Sequence, residues 1–203
     1  MREILTAIKQ KIDSISEPGK RIIVAIDGRC ASGKTTLAAA LEKELGCTVF
    51  HMDDFFLRPE QRTPERLSTP GENVDHERFC EEVLSPLLNG DRIIVFRPFD
   101  CFAFEMTAPC SKKAGSIVII EGSYSCHPSL WNYYDLHIFL TLSPSEQMER
   151  ITRREGADRA VIFRDRWIPM EEKYFKTFQI AQQCELCFDT GKERIDYGGN
   201  CNA

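Results

Sequence analysis

Apolar residues return along this chain in two rhythms. Between residues 3 and 16, Ile4, Leu5, Ile8, Ile12 and Ile15 recur at helical spacing, which predicts an amphipathic helix stopped by Glu17-Pro18-Gly19. RIIVAID (21–27) is a continuous, β-branched apolar run, the pattern of a strand covered on both faces. TLAAALEKELG (36–46) reads as a helix closed by Gly46. CTVFHMD (47–53), RIIVF (92–96), SIVIIEG (116–122) and DLHIFLT (135–141) predict further strands, and LCFDT (186–190) is a candidate sixth. Helical segments separate them. Asp75 is placed to cap a helix over 76–89, with Phe79, Val83, Leu84, Leu87 and Leu88 on its apolar face and Gly90 as its stop. Ser143-Pro144-Ser145-Glu146 has the form of a capping box with proline at the first helical position, opening a helix to residue 155. Residues 164–182 carry a longer mixed pattern.

Strands alternating with helices predict one α/β domain over residues 1–203, with a parallel sheet of about five strands covered on both faces. Ligands of such sheets bind beyond the carboxyl ends of the strands, so chemistry is sought just after each apolar run. The N-terminal helix, residues 1–17, is free to pack on its own domain or on a neighbouring copy, which leaves a homo-oligomer open. The tail, 191–203, reads as weakly ordered. Composition then narrows the partners. Lys and Arg total 26 against 31 Asp and Glu, and the net charge of −5 argues against nucleic acid. No apolar stretch approaches the roughly 20 residues of a membrane helix. MREILTAIKQ lacks the apolar region of a signal peptide, so a cytoplasmic protein is expected. The 9 cysteines read as thiols of a reducing compartment; Cys184 and Cys187 have CxxC spacing but no second ligand pair for zinc.

After the first predicted strand stands Gly28-Arg29-Cys30-Ala31-Ser32-Gly33-Lys34-Thr35, which is G-x-x-x-x-G-K-[ST] with every fixed position filled. Glycines let the backbone curl so that successive N–H groups face phosphate oxygens, and the following helix adds its positive end. Gly28, Cys30, Ala31, Ser32, Gly33, Lys34, Thr35 and Thr36 are therefore the expected ATP contacts. Lys34 would serve the β and γ phosphates, and Thr35 would ligate Mg²⁺. Glu121, at the end of SIVIIEG, is the second metal candidate, acting through water or by orienting the nucleophile. The fold expected is a three-layer P-loop NTPase of nucleoside- or nucleotide-kinase type.

Two acidic clusters speak to the phosphoryl acceptor. His51-Met52-Asp53-Asp54-Phe55-Phe56 follows the second strand, and a kinase acting on a hydroxyl needs a carboxylate to orient it and accept its proton. Asp53 or Asp54 fits that need. In Asn73-Val74-Asp75-His76-Glu77-Arg78-Phe79, Asp75 is a candidate for sugar hydroxyls as well as a helix cap, and His76 stands beside it. No N-K-x-D guanine-reading segment is present, which argues against a GTPase.

The ordered set DGRCASGKTT, HMDDFF, NVDHERF, RPFD, VIIEG and DLHIFL resembles the uridine kinase and phosphoribulokinase group of P-loop kinases, over residues 20 to 190. The resemblance implies Asp53 as general base, with Phe56 beside it. It implies Asp75 and His76 at the ribose and Phe99 of Arg97-Pro98-Phe99-Asp100 against a nucleobase. Uridine kinases continue that last segment with a base-reading His and a nearby Arg. Here Phe104 and Met106 stand there, and an apolar pocket stacks a ring without hydrogen-bonding its edge.

Six arginines between 150 and 166 complete the picture. The resemblance places Arg150, Arg153 and Arg159 in a mobile lid, residues 150–167, that neutralises charge over the phosphates, with Gly156 as hinge. The alternative is a solvated basic face balanced by Glu146, Glu149 and Glu155. The expectation is an ATP- and Mg²⁺-dependent kinase of a small-molecule hydroxyl, on a nucleoside or related ribosyl compound. Its rivals are a kinase of a non-nucleoside alcohol such as pantothenate or a sugar phosphate, and a non-catalytic ATP-binding module.

Overall fold

The computed structural model describes residues 1–191 and 194–197. In chain order, α1 (Arg2–Ile15) leads to β1 (Ile22–Gly28), α2 (Lys34–Leu45) and β2 (Thr48–His51). Short helical turns and α3 (Pro64–Ser68) follow. A continuous helix then runs through α4 (His76–Phe79), a wider turn at 80–84 and α5 (Ser85–Leu88). Next come β3 (Ile93–Phe96), β4 (Phe99–Asp100), β5 (Glu105–Met106), β6 (Cys110–Lys113), β7 (Ile117–Glu121) and β8 (Leu136–Thr141). The chain closes with α6 (Pro144–Glu155), α7 (Ala157–Ile162), α8 (Ile168–Phe178), α9 (Ile180–Gln183), β9 (Leu186–Asp189) and β10 (Arg194–Tyr197).

The sheet runs β10-β9-β8-β1-β7-β2, and every pairing is parallel except β10 on β9. β1 is central because Ile22 to Ile26 are apolar on both faces. Ile23 and Ala25 join the core with Phe50, Phe79 and Tyr174, whereas Ile22, Val24 and Ile26 join the core with Ile8, Leu37 and Leu41. Helices thus cover both faces, and the three-layer α/β fold is as expected. α1 buries Ile4, Leu5, Ile8 and Ile12 against its own domain, which settles where that helix packs.

One expected strand is misplaced. RIIVF does form β3, but it pairs antiparallel with β6 outside the main sheet. Ile94 and Phe96 face the core while Ile93 and Val95 are each 56% exposed. A continuous apolar run therefore carried only one buried face. LCFDT takes the vacant place as β9, the fifth parallel strand. Among the described residues seven cysteines are free, but Cys187 is disulfide-bonded, so the reading of it as a thiol is corrected. Of the tail expected to be weakly ordered, Gly191 donates to Asp189 Oδ1, 194–197 pairs with β9, and 192–193 and 198–203 lie outside the described residues. None of the described helices is long and apolar enough to cross a membrane.

Candidate active site

The carboxyl ends of β1, β2 and β7 open into one cleft of about 720 Å³. β1 ends at Gly28, whose φ of +136° and contact with β8 leave no room for a side chain: an added Cβ would stand 2.7 Å from the Leu140 amide nitrogen. The chain then curls through Ala31 (φ +62°) and Gly33 (φ +93°) into α2. Lys34 is buried and donates to the carbonyls of Gly28 at 2.7 Å and Arg29 at 3.1 Å, so its ammonium closes the loop on itself. Arg150 is braced beneath it, donating to Ala31 O and Thr190 O at 3.3 and 3.0 Å. Cys30, Ala31, Gly33, Lys34, Thr35, Thr36 and Arg150 line the cleft. Gly28 and Ser32 shape the loop from behind and do not line it.

Two acids that the motif reading left without roles hold this loop. Asp27 is fully buried and accepts from the amides of Gly28 (2.7 Å), Tyr124 (3.2 Å) and Cys126 (3.0 Å) and from the Tyr174 hydroxyl (2.9 Å). A charged residue ending a fully buried strand was the available signal, since such an acid needs donors. Glu171, on α8, accepts from the Cys30 amide at 3.0 Å and the Ser123 hydroxyl at 2.6 Å. Burial pushes its carboxyl above the usual range, with Lys34 opposing. Nothing local in the sequence around Glu171 marks it, because the contact spans 141 residues.

Asp53 lines the cleft and Asp54 does not. Asp53 is exposed to the cleft. Desolvation raises its pKa, Lys34 and His51 lower it, and Glu121 and Asp54 raise it. The net direction is upward, which makes Asp53 a better proton acceptor than a free aspartate. Glu121 is buried at the end of β7, accepts from Thr35 Oγ1 at 3.3 Å and pairs with His51 Nδ1 at 2.5 Å. That hydrogen bond raises the pKa of His51. Thr35, Glu121 and Asp53 all offer oxygen, the donor chemistry that Mg²⁺ selects, so these residues fit that ion.

The other predicted residues separate. Phe56 and Phe104 line the cleft; Asp75, His76 and Phe99 do not. Asp75 is buried and spent on structure. It caps α4 by accepting from Arg78 N at 3.2 Å, and its Oδ2 meets Arg78 Nε and Arg58 Nε at 3.2 and 3.3 Å. His76 stacks on His127 with ring centroids 4.2 Å apart. Phe99 is buried and edge-on to Phe104. The helix-cap role of Asp75 is thus realised. From the arginine-rich segment, Arg150, Arg154 and Arg159 line the cleft, while Arg153 points outward, its side chain 74% exposed and paired with Glu149. Arg153 follows the solvated-face reading. Arg154, which reaches Cys30 Sγ at 3.7 Å, takes the place expected for it. Gly156 lies between α6 and α7 with φ +84°.

The family model described as an AAA domain matches residues 24–166. Among solved structures, a possible uridine kinase from Bacillus stearothermophilus is similar at 19% identity, with 93% of this chain and 98% of that chain covered and a TM-score of 0.69. The D-glycerate 3-kinase of Cryptococcus neoformans is similar at 15% identity, with 94% of each chain covered and a TM-score of 0.60. At these identities the likeness is one of fold.

Proposed function

The chain belongs to the AAA domain family, with its P-loop near the start of the matched region, and from that premise we propose that it is an ATP- and Mg²⁺-dependent kinase of a small-molecule hydroxyl. The observation that carries this is the meeting of Lys34 and Asp53 in one cleft, with room beside Asp53 for an acceptor. A module that only binds nucleotide has no use for a carboxylate lining the same cleft as its P-loop lysine.

In this reading the amides of the loop and Lys34 hold the β and γ phosphates. Asp53 accepts a hydrogen bond from the acceptor hydroxyl, orients it in line with the γ-phosphorus and takes its proton as the new O–P bond forms and the bond from the γ-phosphorus to the β,γ-bridging oxygen breaks, ADP leaving. Arg154 and Arg159 lie where they offset charge gathering on the transferring group. When bound, Mg²⁺ supplies Lewis-acid stabilisation of the phosphate oxygens, held by Thr35 and Glu121. His51 fixes the rotamer of Glu121 by binding its second oxygen. Phe56 and Phe104 give the acceptor an apolar wall.

A nucleoside would have to share Asp75 with Arg58 and Arg78, which already pair with it. The class retained is a small alcohol. The experiment is Mg²⁺-ATP-dependent ADP release across nucleosides, sugar phosphates, pantothenate and hydroxy acids. Stimulation by one acceptor supports the proposal; ATP binding without stimulation by any acceptor sinks it.

A further inference from the structure

Arg62 stands on the acceptor side of the cleft, on the segment that follows Asp53. Its guanidinium lies 5.3 Å over the ring of Phe104, and its hydrogen bond is a long one, 3.5 Å to the Leu57 carbonyl. Among the described residues no carboxylate pairs with it. Of the other arginines that line the cleft, Arg154 and Arg159 pair with Glu155, and Arg150 donates to Ala31 O and to Thr190. Arg166 likewise has no acid among the described residues, and its charge, with burial, pushes the pKa of Arg62 down. Cations facing one another without an anion are costly, and a bound anion relieves that cost.

A second feature of the same wall is unfinished. Asn73 is 6% exposed and lines the cleft, and its Oδ1 is buried without a partner. A buried amide oxygen left unpaired calls for a donor from a ligand. Cys101 lines the same cleft. The backbone of the β4–β5 turn is held by Asp100 Oδ1, which accepts from the amides of Phe102 and Ala103 at 2.7 and 3.0 Å. That turn sets Phe104 at φ +60°, in the left-handed region, where its ring supports Arg62.

Resting on the kinase reading, we infer that the acceptor end of this cleft takes an anionic hydroxyl compound, its carboxylate or phosphate held by Arg62 and a hydroxyl held by Asn73. The logic is one of charge. Asp53 repels an anionic acceptor, so such a substrate needs a cation at its far end, and a neutral nucleoside needs none. Phe104 holds the guanidinium by its face, and apart from the long Nη1 bond to Leu57 O its N–H groups are left for a planar or tetrahedral anion.

Matched acceptor pairs test this directly: glycerate against glycerol, ribose 5-phosphate against ribose, with uridine as a neutral nucleoside. The expected result is that the charged member of one pair has kcat/KM at least about tenfold above its neutral partner, and which pair responds separates carboxylate from phosphate. Arg62→Gln should raise KM for that acceptor about tenfold to a hundredfold and leave ATP affinity unchanged. Calorimetric binding of the same acceptor to the ADP-loaded protein should weaken in step. Arg62→Lys should recover part of the loss. Wild-type preference for uridine or for the neutral members overturns the inference and leaves the kinase reading standing. Equal losses for charged and neutral acceptors in Arg62→Gln, or weakened ATP binding, would assign Arg62 to the phosphoryl end and also overturn it. No turnover of any acceptor overturns both readings. Unfolding midpoints for both variants, expected to match wild type, exclude misfolding as the cause.

Discussion

A single methyl group added at Gly28 tests the close approach of the phosphate loop to the sheet. The backbone there has φ +136°, which L side chains rarely adopt, and the new Cβ would meet the carbonyl oxygen of Leu140 and stand 2.7 Å from its nitrogen. Leu140 belongs to β8, paired directly with β1, so the obstruction is sheet backbone and cannot swing aside. Backbone strain of this kind costs about 1–3 kcal/mol and forced overpacking about 1–3 kcal/mol more, for a total near 4 kcal/mol. For a chain of this size that lowers Tm by about 8–16 °C. Gly46 supplies the control: its φ is +63°, but nothing lies within 4 Å of an added Cβ, so Gly46→Ala should cost only about 1 kcal/mol. Urea unfolding followed by circular dichroism reads both. A Gly28→Ala protein as stable as Gly46→Ala would refute the packing argument.

Three further outcomes follow from the same geometry. His127 has its pKa pushed down to about 4, by burial first and then by the charge of His76. The unfolded chain therefore binds the extra proton between pH 6.5 and about 4, and stability present above 6.5 is lost as pH falls through that window, by about 3 kcal/mol. His127→Gln should flatten that part of the urea-midpoint profile; an identical slope in wild type and variant contradicts the assignment. Arg78 is buried, bonds to Asp75, Arg97 O (2.6 Å) and Asp54 O (3.3 Å), and lies 4.4 Å over Phe55. Arg78→Met should cost about 3–5 kcal/mol in denaturant titration, because Asp75 is left buried and less well paired; a loss below 1 kcal/mol would point to a loosely held Asp75. Lys34→Ala should weaken ATP binding at least about a hundredfold by calorimetry while the fold persists, since its bonds are to carbonyls of the loop alone.

The sheet was legible because its strands are buried on both faces and so read as continuous apolar runs, with glycines and caps between them. The same rule misled at 92–96, where hydropathy cannot tell a two-faced strand from a hairpin with Ile93 and Val95 in solvent. Within the site, the P-loop and Asp53 were legible because their chemistry fixes local spacing. At Asp75 only the cap was legible, because a carboxylate at the start of a helix serves as a cap whether or not it also meets a ligand, and its pairing with Arg58 and Arg78 spans separate segments. Glu171 and Arg62 were invisible for another reason. Their roles arise from contacts between distant segments, Glu171 with Cys30 and Arg62 with Phe104, which no local pattern encodes.

The central claim is that Asp53 activates an acceptor across the cleft from Lys34. It is tested most directly by Asp53→Asn, assayed for acceptor-dependent ADP release and, separately, for ATP binding by calorimetry. The expected result is a fall in turnover of about 10²- to 10⁴-fold, with ATP affinity within about twofold of wild type. Turnover unchanged by the substitution would contradict the claim.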